Sequence, residues 1–176
     1  MKYVIMTEGT CEKALMDVLI KKEILNIPVE SLLYEEVFHA RQIKGKLLEK
    51  IYQLPYQEKI FIIRIGDTLT DELDVPDDLE DRVEEKIKIC IKPEFEILHL
   101  IYKGKLDEYI KKHKTSAKPS EYLSQIDKEY KKAYGYNYKY FDSLTNDEII
   151  EVIKIYSSKR KGAHKKDEKF LEELIN

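Results

Sequence analysis

No stretch of about 18 or more apolar residues occurs in this 176-residue chain, so nothing in it is long enough to cross a membrane as a helix. The N-terminus lacks a basic segment followed by an apolar one, and no secretory signal is expected. Cysteine occurs only at Cys11 and Cys90, without the spacing of a zinc site. The two suit a reducing cytosol and a cytoplasmic protein, and read as small buried or half-buried side chains. There is no internal repeat and no low-complexity tract. What the chain does have is charge, 37% of its residues, among plentiful aliphatics. That mixture favours a folded soluble protein over disorder, and the length suits one domain with a substantial core and room for a small appendage.

The net charge of −3 hides an asymmetry. Residues 1–90 hold 13 basic and 19 acidic side chains, and residues 91–176 hold 18 and 15. Two readings are open. The solvated surface is simply uneven, or an acidic metal site faces a polyanion held by a basic arm.

Apolar runs and helical spacings alternate along the first hundred residues. Residues 2–7 read as a buried strand, and 11–25 as an amphipathic helix stopped by Asn26-Ile27-Pro28. A second strand is expected over 32–38 and a second helix over 43–54, ended by Pro55. "KIFIIRI", residues 59–65, is the clearest buried strand. An acidic loop follows over 66–81, then a half-buried edge strand over 86–91. Pro93 suits the first turn of a helix over 93–102. This alternation predicts an α/β protein with a mainly parallel sheet flanked by helices. From Lys103 the strand signal vanishes. Helices are expected over 106–112, 120–133, 146–156 and 169–175, with "KTSAKPS" and "YGYNYKYFDSL" as connections. The organisation expected is an α/β core over 1–102 and a helical, basic C-terminal extension over 103–176 packed on it.

In open α/β sheets, functional groups collect beyond the carboxyl ends of the strands. Glu8 closes the first strand, and Glu12 stands at the start of the following helix. Asp67 closes "KIFIIRI" after Gly66, and Glu94 and Glu96 follow the fourth strand. Carboxylates converging on one rim repel, and a hard divalent cation such as Mg²⁺ relieves them. Each acid also has a plainer reading. Glu8 is a solvated loop acid; Glu12, Glu94 and Glu96 are first-turn acids favoured by a helix dipole; Asp67 is a turn residue; Asp71, Asp74, Asp77 and Asp78 form a solvated loop.

The arrangement strand–Glu8-Gly9-x-x-Glu12–helix, followed by "IRIGDTLTDEL", resembles the TOPRIM superfamily. "KPEFEILHL" is similar to the Pro/acid/aromatic stretch of small stand-alone TOPRIM-like proteins, the OLD-type and RloB-type group of restriction and phage-defence loci. The resemblance spans about residues 2–102. It implies a TOPRIM-like (Rossmannoid) fold and a Mg²⁺- or Mn²⁺-dependent nuclease, a hydrolase that cuts phosphodiesters in DNA or RNA. It also implies Glu8 as general acid/base or metal ligand and Asp67 as metal ligand, with Glu12, Asp71, Glu94 and Glu96 as further metal-ligand candidates. The family's Asp-x-Asp pattern is interrupted here: the sequence reads Asp67-Thr68-Leu69, and the next acid is Asp71.

Basic residues crowd two places, Lys111 to Lys118 and "SSKRKGAHKK". Lys159, Arg160, Lys161, Lys165 and Lys166 are the expected phosphate contacts, with Arg41 beside His39 as another. Six tyrosines, from Tyr122 to Tyr140, lie between the two clusters. They either stack on unpaired bases or pack between helices. His99, in an apolar helix, reads as a core residue. Two functions therefore compete: a small TOPRIM-like nuclease, and a non-catalytic nucleic-acid-binding or regulatory protein beside an ATPase partner. A flavodoxin-like receiver is disfavoured, because Glu8 and Glu12 are wrongly spaced for its paired acids.

Overall fold

The computed structural model describes residues 1–68, 70–162 and 169–176. Strands β1 (Lys2–Thr7), β2 (Leu32–His39), β3 (Ile60–Gly66) and β4 (Val83–Cys90) pair in the order β2-β1-β3-β4, and every pairing is parallel. Between them run helices α1 (Thr10–Lys21), α2 (Lys46–Tyr52) and the single turn α3 (Asp77–Glu80). Five helices follow: α4 (Ile97–Tyr102), α5 (Leu106–Lys112), α6 (Pro119–Ile126), α7 (Tyr134–Asp142) and α8 (Asn146–Arg160). The expected α/β fold with a mainly parallel sheet is therefore present. No helix among the described residues is long and apolar enough to cross a membrane.

The alternation of side chains along buried strands divides the core in two. On one face Ile5, Ile63, Ile65 and Ile89 pack against α1 and the C-terminal helices, through Leu15, Leu19, Leu98, Leu123 and Ile153. On the other, Val4, Met6, Ile60 and Ile62 pack against Leu47 and Ile51 of α2 and Leu79 of α3. The C-terminal helices thus join α1 in one layer of a three-layer fold. The chain's end reaches the sheet as well, through a parallel bridge between Ile89 and Lys169.

Several boundaries differ from the sequence expectation. α1 stops at Lys21, where the C-cap and a left-handed Glu23 turn the chain. β2 makes a wide bulge: Tyr3 pairs with Leu32 but Ile5 pairs with Val37. Tyr34 and Glu35 absorb the extra length with φ near 52° and 55°, a conformation few non-glycine residues adopt. β4 begins at Val83, three residues earlier than expected, because pairing with Ile60 extends its charged, exposed start.

The helix after β4 begins at Ile97, so Pro93 is not in its first turn. The Lys92–Pro93 peptide is cis, and Ile97 N–H and Leu98 N–H bond three residues back, to Glu94 and Phe95. α6 ends at Ile126, and "YGYNYKYFDSL" is not a connection but contains helix α7. Gly, Asn and Tyr are poor helix formers. Packing on α1 supplies what propensity lacks there: Phe141 is buried, and Tyr138 packs against the same core. The last expected helix is a short 3-10 turn, Leu171–Leu174.

Candidate functional site

Four of the acids singled out from the sequence come together. Glu8, Glu12, Asp67 and Glu94 line one cavity of about 360 Å³, with Arg41 and Lys132 among its other walls. It lies beyond the carboxyl ends of β1, β3 and β4, at the N-terminus of α1. Parallel pairing brings these positions together, since Thr7 aligns with Ile65 and Gly66 aligns with Cys90.

Glu8 is the most constrained of the four. Its side chain is only 6% exposed and is held by two cations, Lys88 Nζ and Arg64 Nε. The Arg64 contact is an ion pair at 3.2 Å rather than an aligned hydrogen bond. The carboxyl group lies directly over Gly66: a Cβ there would sit 2.2 Å from Glu8 Cδ and 2.4 and 2.5 Å from its oxygens. Any Cβ at position 66 would therefore force the Glu8 carboxyl group to shift.

Arg64 and Lys88 escaped the sequence reading, yet a signal existed. Arg64 stands in an otherwise apolar strand, and a buried guanidinium needs partners. It is 2% exposed and donates to the carbonyls of Arg41, Asp71 and Glu72, so it ties the loops after β2 and β3 to the strand.

Asp71 does not join the cavity. Its carboxylate pairs with Arg64 Nη2 at 2.9 Å and lines a separate cleft with Glu72 and Lys86. The two extra residues after Asp67 carry it past the site, onto the guanidinium. Asp67 itself is exposed and accepts a 3.0 Å bond from the Thr68 hydroxyl.

Glu12 folds back over Gly9 and is 9% exposed. Burial, then the nearby charges of Glu96 and Asp67, raise its pKa against the opposing bond to its own backbone N–H. The same burial, with Glu96 and Glu12 beside it, pushes the Cys11 thiol up to about 12 and keeps it unreactive.

Glu96 lies behind the cavity wall and is fully buried. Tyr130 Oη donates to its Oε1, Lys132 Nζ stands 3.4 Å away, and Oε2 has no hydrogen-bond partner among the described residues. Glu94 caps the start of α6 by accepting from Ser120 N–H at 3.1 Å.

Apart from Tyr134, which is exposed, the six tyrosines pack within the fold. Tyr130, Tyr136 and Tyr140 surround His99, and Tyr122 is buried against Tyr109 and His113. His99 is the expected core histidine: its Nε2 bonds Asn137 Oδ1 at 2.7 Å, and burial lowers its pKa to about 4.

The basic residues are distributed unevenly. Arg41 lies on the acidic cavity. Lys159 pairs with Asp107 at 3.2 Å, and Arg160 lines a cleft that also touches Asp67. Lys161 is exposed at the C-cap of α8. Lys165 and Lys166 lie outside the described residues.

Fold and site together define a parallel-sheet α/β protein with an acidic cavity at the carboxyl rim of its sheet. No family model, curated protein or solved structure matches the chain.

Proposed function

We propose that this protein is a Mg²⁺- or Mn²⁺-dependent phosphodiester hydrolase acting on nucleic acid. The observation that carries the reading is the shared cavity: Glu8, Glu12, Asp67 and Glu94 line it beside Arg41. The TOPRIM-like motifs of the sequence run through all four of these acids.

The donor set fits Mg²⁺ in one specific way. Among the described residues no three His, Cys, Asp or Glu side chains stand close enough to cage a metal ion. Mg²⁺ does not need such a cage, since it takes one or two carboxylates and completes its shell with waters and substrate phosphates. Glu12 and Asp67 are the natural pair. Glu12 feels the charge of Asp67 and is buried enough to favour neutralisation. The bound cation would neutralise charge on the phosphoryl oxygens and acidify a water. Arg41 would hold a non-bridging phosphate oxygen. Glu8, oriented by Lys88 and Arg64, would take up or return a proton at the attacking or leaving oxygen.

Purified protein incubated with labelled single- and double-stranded DNA and RNA, in Mg²⁺, Mn²⁺ or EDTA, tests the reading. Metal-dependent cleavage that disappears in Glu8→Gln and in Asp67→Asn supports it. Cleavage that survives both substitutions overturns it.

One observation favours a second reading. The Glu8 carboxylate is already engaged by two cations, and Asp71 is engaged by Arg64. A non-catalytic nucleic-acid-binding or regulatory protein, working beside an ATPase partner in phage defence, is compatible with that arrangement. Binding without cleavage in every metal would select it.

A further inference from the structure

Asp67 does not border the acidic cavity alone. Two more clefts open from it, of about 610 and 540 Å³. They share Pro93, Tyr109 and Lys114, so the three openings form one trough that turns at Asp67. The trough changes character along its length. At the sheet rim it is acidic. Past Asp67 its floor is apolar, made of almost fully buried Ile97 and Leu106 and exposed Ile110, and its banks carry Lys114, Lys159 and Arg160. Ile110 is 44% exposed and so offers apolar surface to the cleft. Among the described residues, Lys159 pairs with exposed Asp107, a weak surface pair that a phosphate can displace.

An apolar floor between cationic banks matches one polymer chemistry. A single nucleic-acid strand offers a phosphate and, beside it, an unpaired base with an apolar face. A duplex offers the phosphates but keeps its base faces stacked inside, so exposed Ile110 would gain nothing from it. Recession of the acids points the same way. The Glu8 side chain is only 6% exposed, so a reacting phosphate must enter the cavity, which a flexible single strand does more readily than a stiff duplex.

We propose that the trough past Asp67 binds a single strand of nucleic acid, with a backbone phosphate between Lys114 and Lys159 and its base on Ile110. The inference rests on the reading of the rim cavity as a phosphodiester site and names its substrate as unpaired rather than duplex. The strand then passes over Asp67, and the neighbouring phosphate reaches the acids.

Binding measured in EDTA separates this from the chemistry. The full chain is titrated into labelled oligothymidylate, oligouridylate and a duplex of mixed sequence, at several salt concentrations. The single strands are expected to bind at least about tenfold tighter than the duplex, and comparison of the first two probes reports any preference for DNA or RNA. The double variant Lys114→Ala/Lys159→Ala should flatten the log–log salt slope for single strands by about 1.4, near 0.7 for each lost phosphate contact. Ile110→Ser should weaken single-strand binding several-fold and leave that slope unchanged. All three side chains are largely exposed, so these variants keep the fold. Duplex binding as tight as single-strand binding overturns the inference, and so does an unaltered slope in the double variant. Single-strand binding without cleavage in any metal upholds it and overturns the hydrolase reading. Cleavage by a protein that holds both forms equally does the reverse.

Discussion

Replacing Gly66 by alanine isolates the geometry around Glu8. The new Cβ would lie 2.2 Å from Glu8 Cδ, whereas ordinary contact begins near 3.4 Å, so the carboxyl group must retreat by about 1.2 Å. Arg64 Nε is 3.2 Å from Glu8 Oε1 at the start, and a shift of that size takes the pair beyond ion-pair range. Losing a partner from a fully buried ion pair costs about 3–5 kcal/mol. Arg64 keeps Asp71 and its carbonyl acceptors, so we expect about 2 kcal/mol here. Thermal unfolding should fall by roughly 4–8 °C for a chain of this size.

The decisive assay is a double-mutant cycle read by urea unfolding. In a Glu8→Ala background there is no carboxyl group to displace, and Gly66→Ala should cost close to nothing. A coupling energy of about 1–2 kcal/mol is expected between the two positions. An equal cost of Gly66→Ala in both backgrounds would show that the alanine strains the backbone instead, and would refute the packing of Glu8 over Gly66.

Two other outcomes follow from the buried network behind the cavity. His99 has a pKa of about 4 in the fold against 6.5 when unfolded, so between those values the unfolded chain binds more protons. Stability should therefore drop as pH falls from 6.5 to 4, by up to about 3 kcal/mol, and His99→Gln should shrink the drop. Glu12, whose pKa is raised in the fold, works in the opposite direction. The measurement is thus the difference between wild type and variant in urea midpoint at pH 7 and pH 4.5, and identical pH profiles would exclude His99 as the source. Tyr130→Phe removes the hydroxyl donated to buried Glu96 and should cost about 1–3 kcal/mol. The same change in a Glu96→Leu background should cost much less, and an undiminished cost would mean that Tyr130 acts through ring packing alone.

Much of the fold was legible because buried parallel strands write themselves as apolar runs. "YVIM" and "KIFIIRI" can satisfy both faces only inside a sheet covered on both sides. The acids that end those runs were legible for the same reason, since the carboxyl rim is where such a sheet leaves room. Helix α7 was not legible. Its Tyr, Gly and Asn residues carry no helical preference, and only the neighbouring α1 makes that segment a helix. Position 71 was ambiguous on paper, because a loop can bend toward the rim or away from it. The buried guanidinium of Arg64 decides the direction and takes Asp71 with it.

The sequence by itself determined the four strands and the helices alternating with the first of them, the buried character of Cys11, Cys90 and His99, and the grouping of acids at strand ends. These depend on local pattern and on the solvation cost of each side chain. Only the tertiary structure decided which acids meet. Parallel register sets Glu8 beside Gly66 and within reach of Lys88, folding closes Glu12, Asp67 and Glu94 around one cavity, and the path of the chain turns Asp67 into the corner of a longer trough. Contacts between residues far apart in the chain, such as Glu8 with Lys88, are fixed by strand register and helix packing, and one sequence carries no local trace of them.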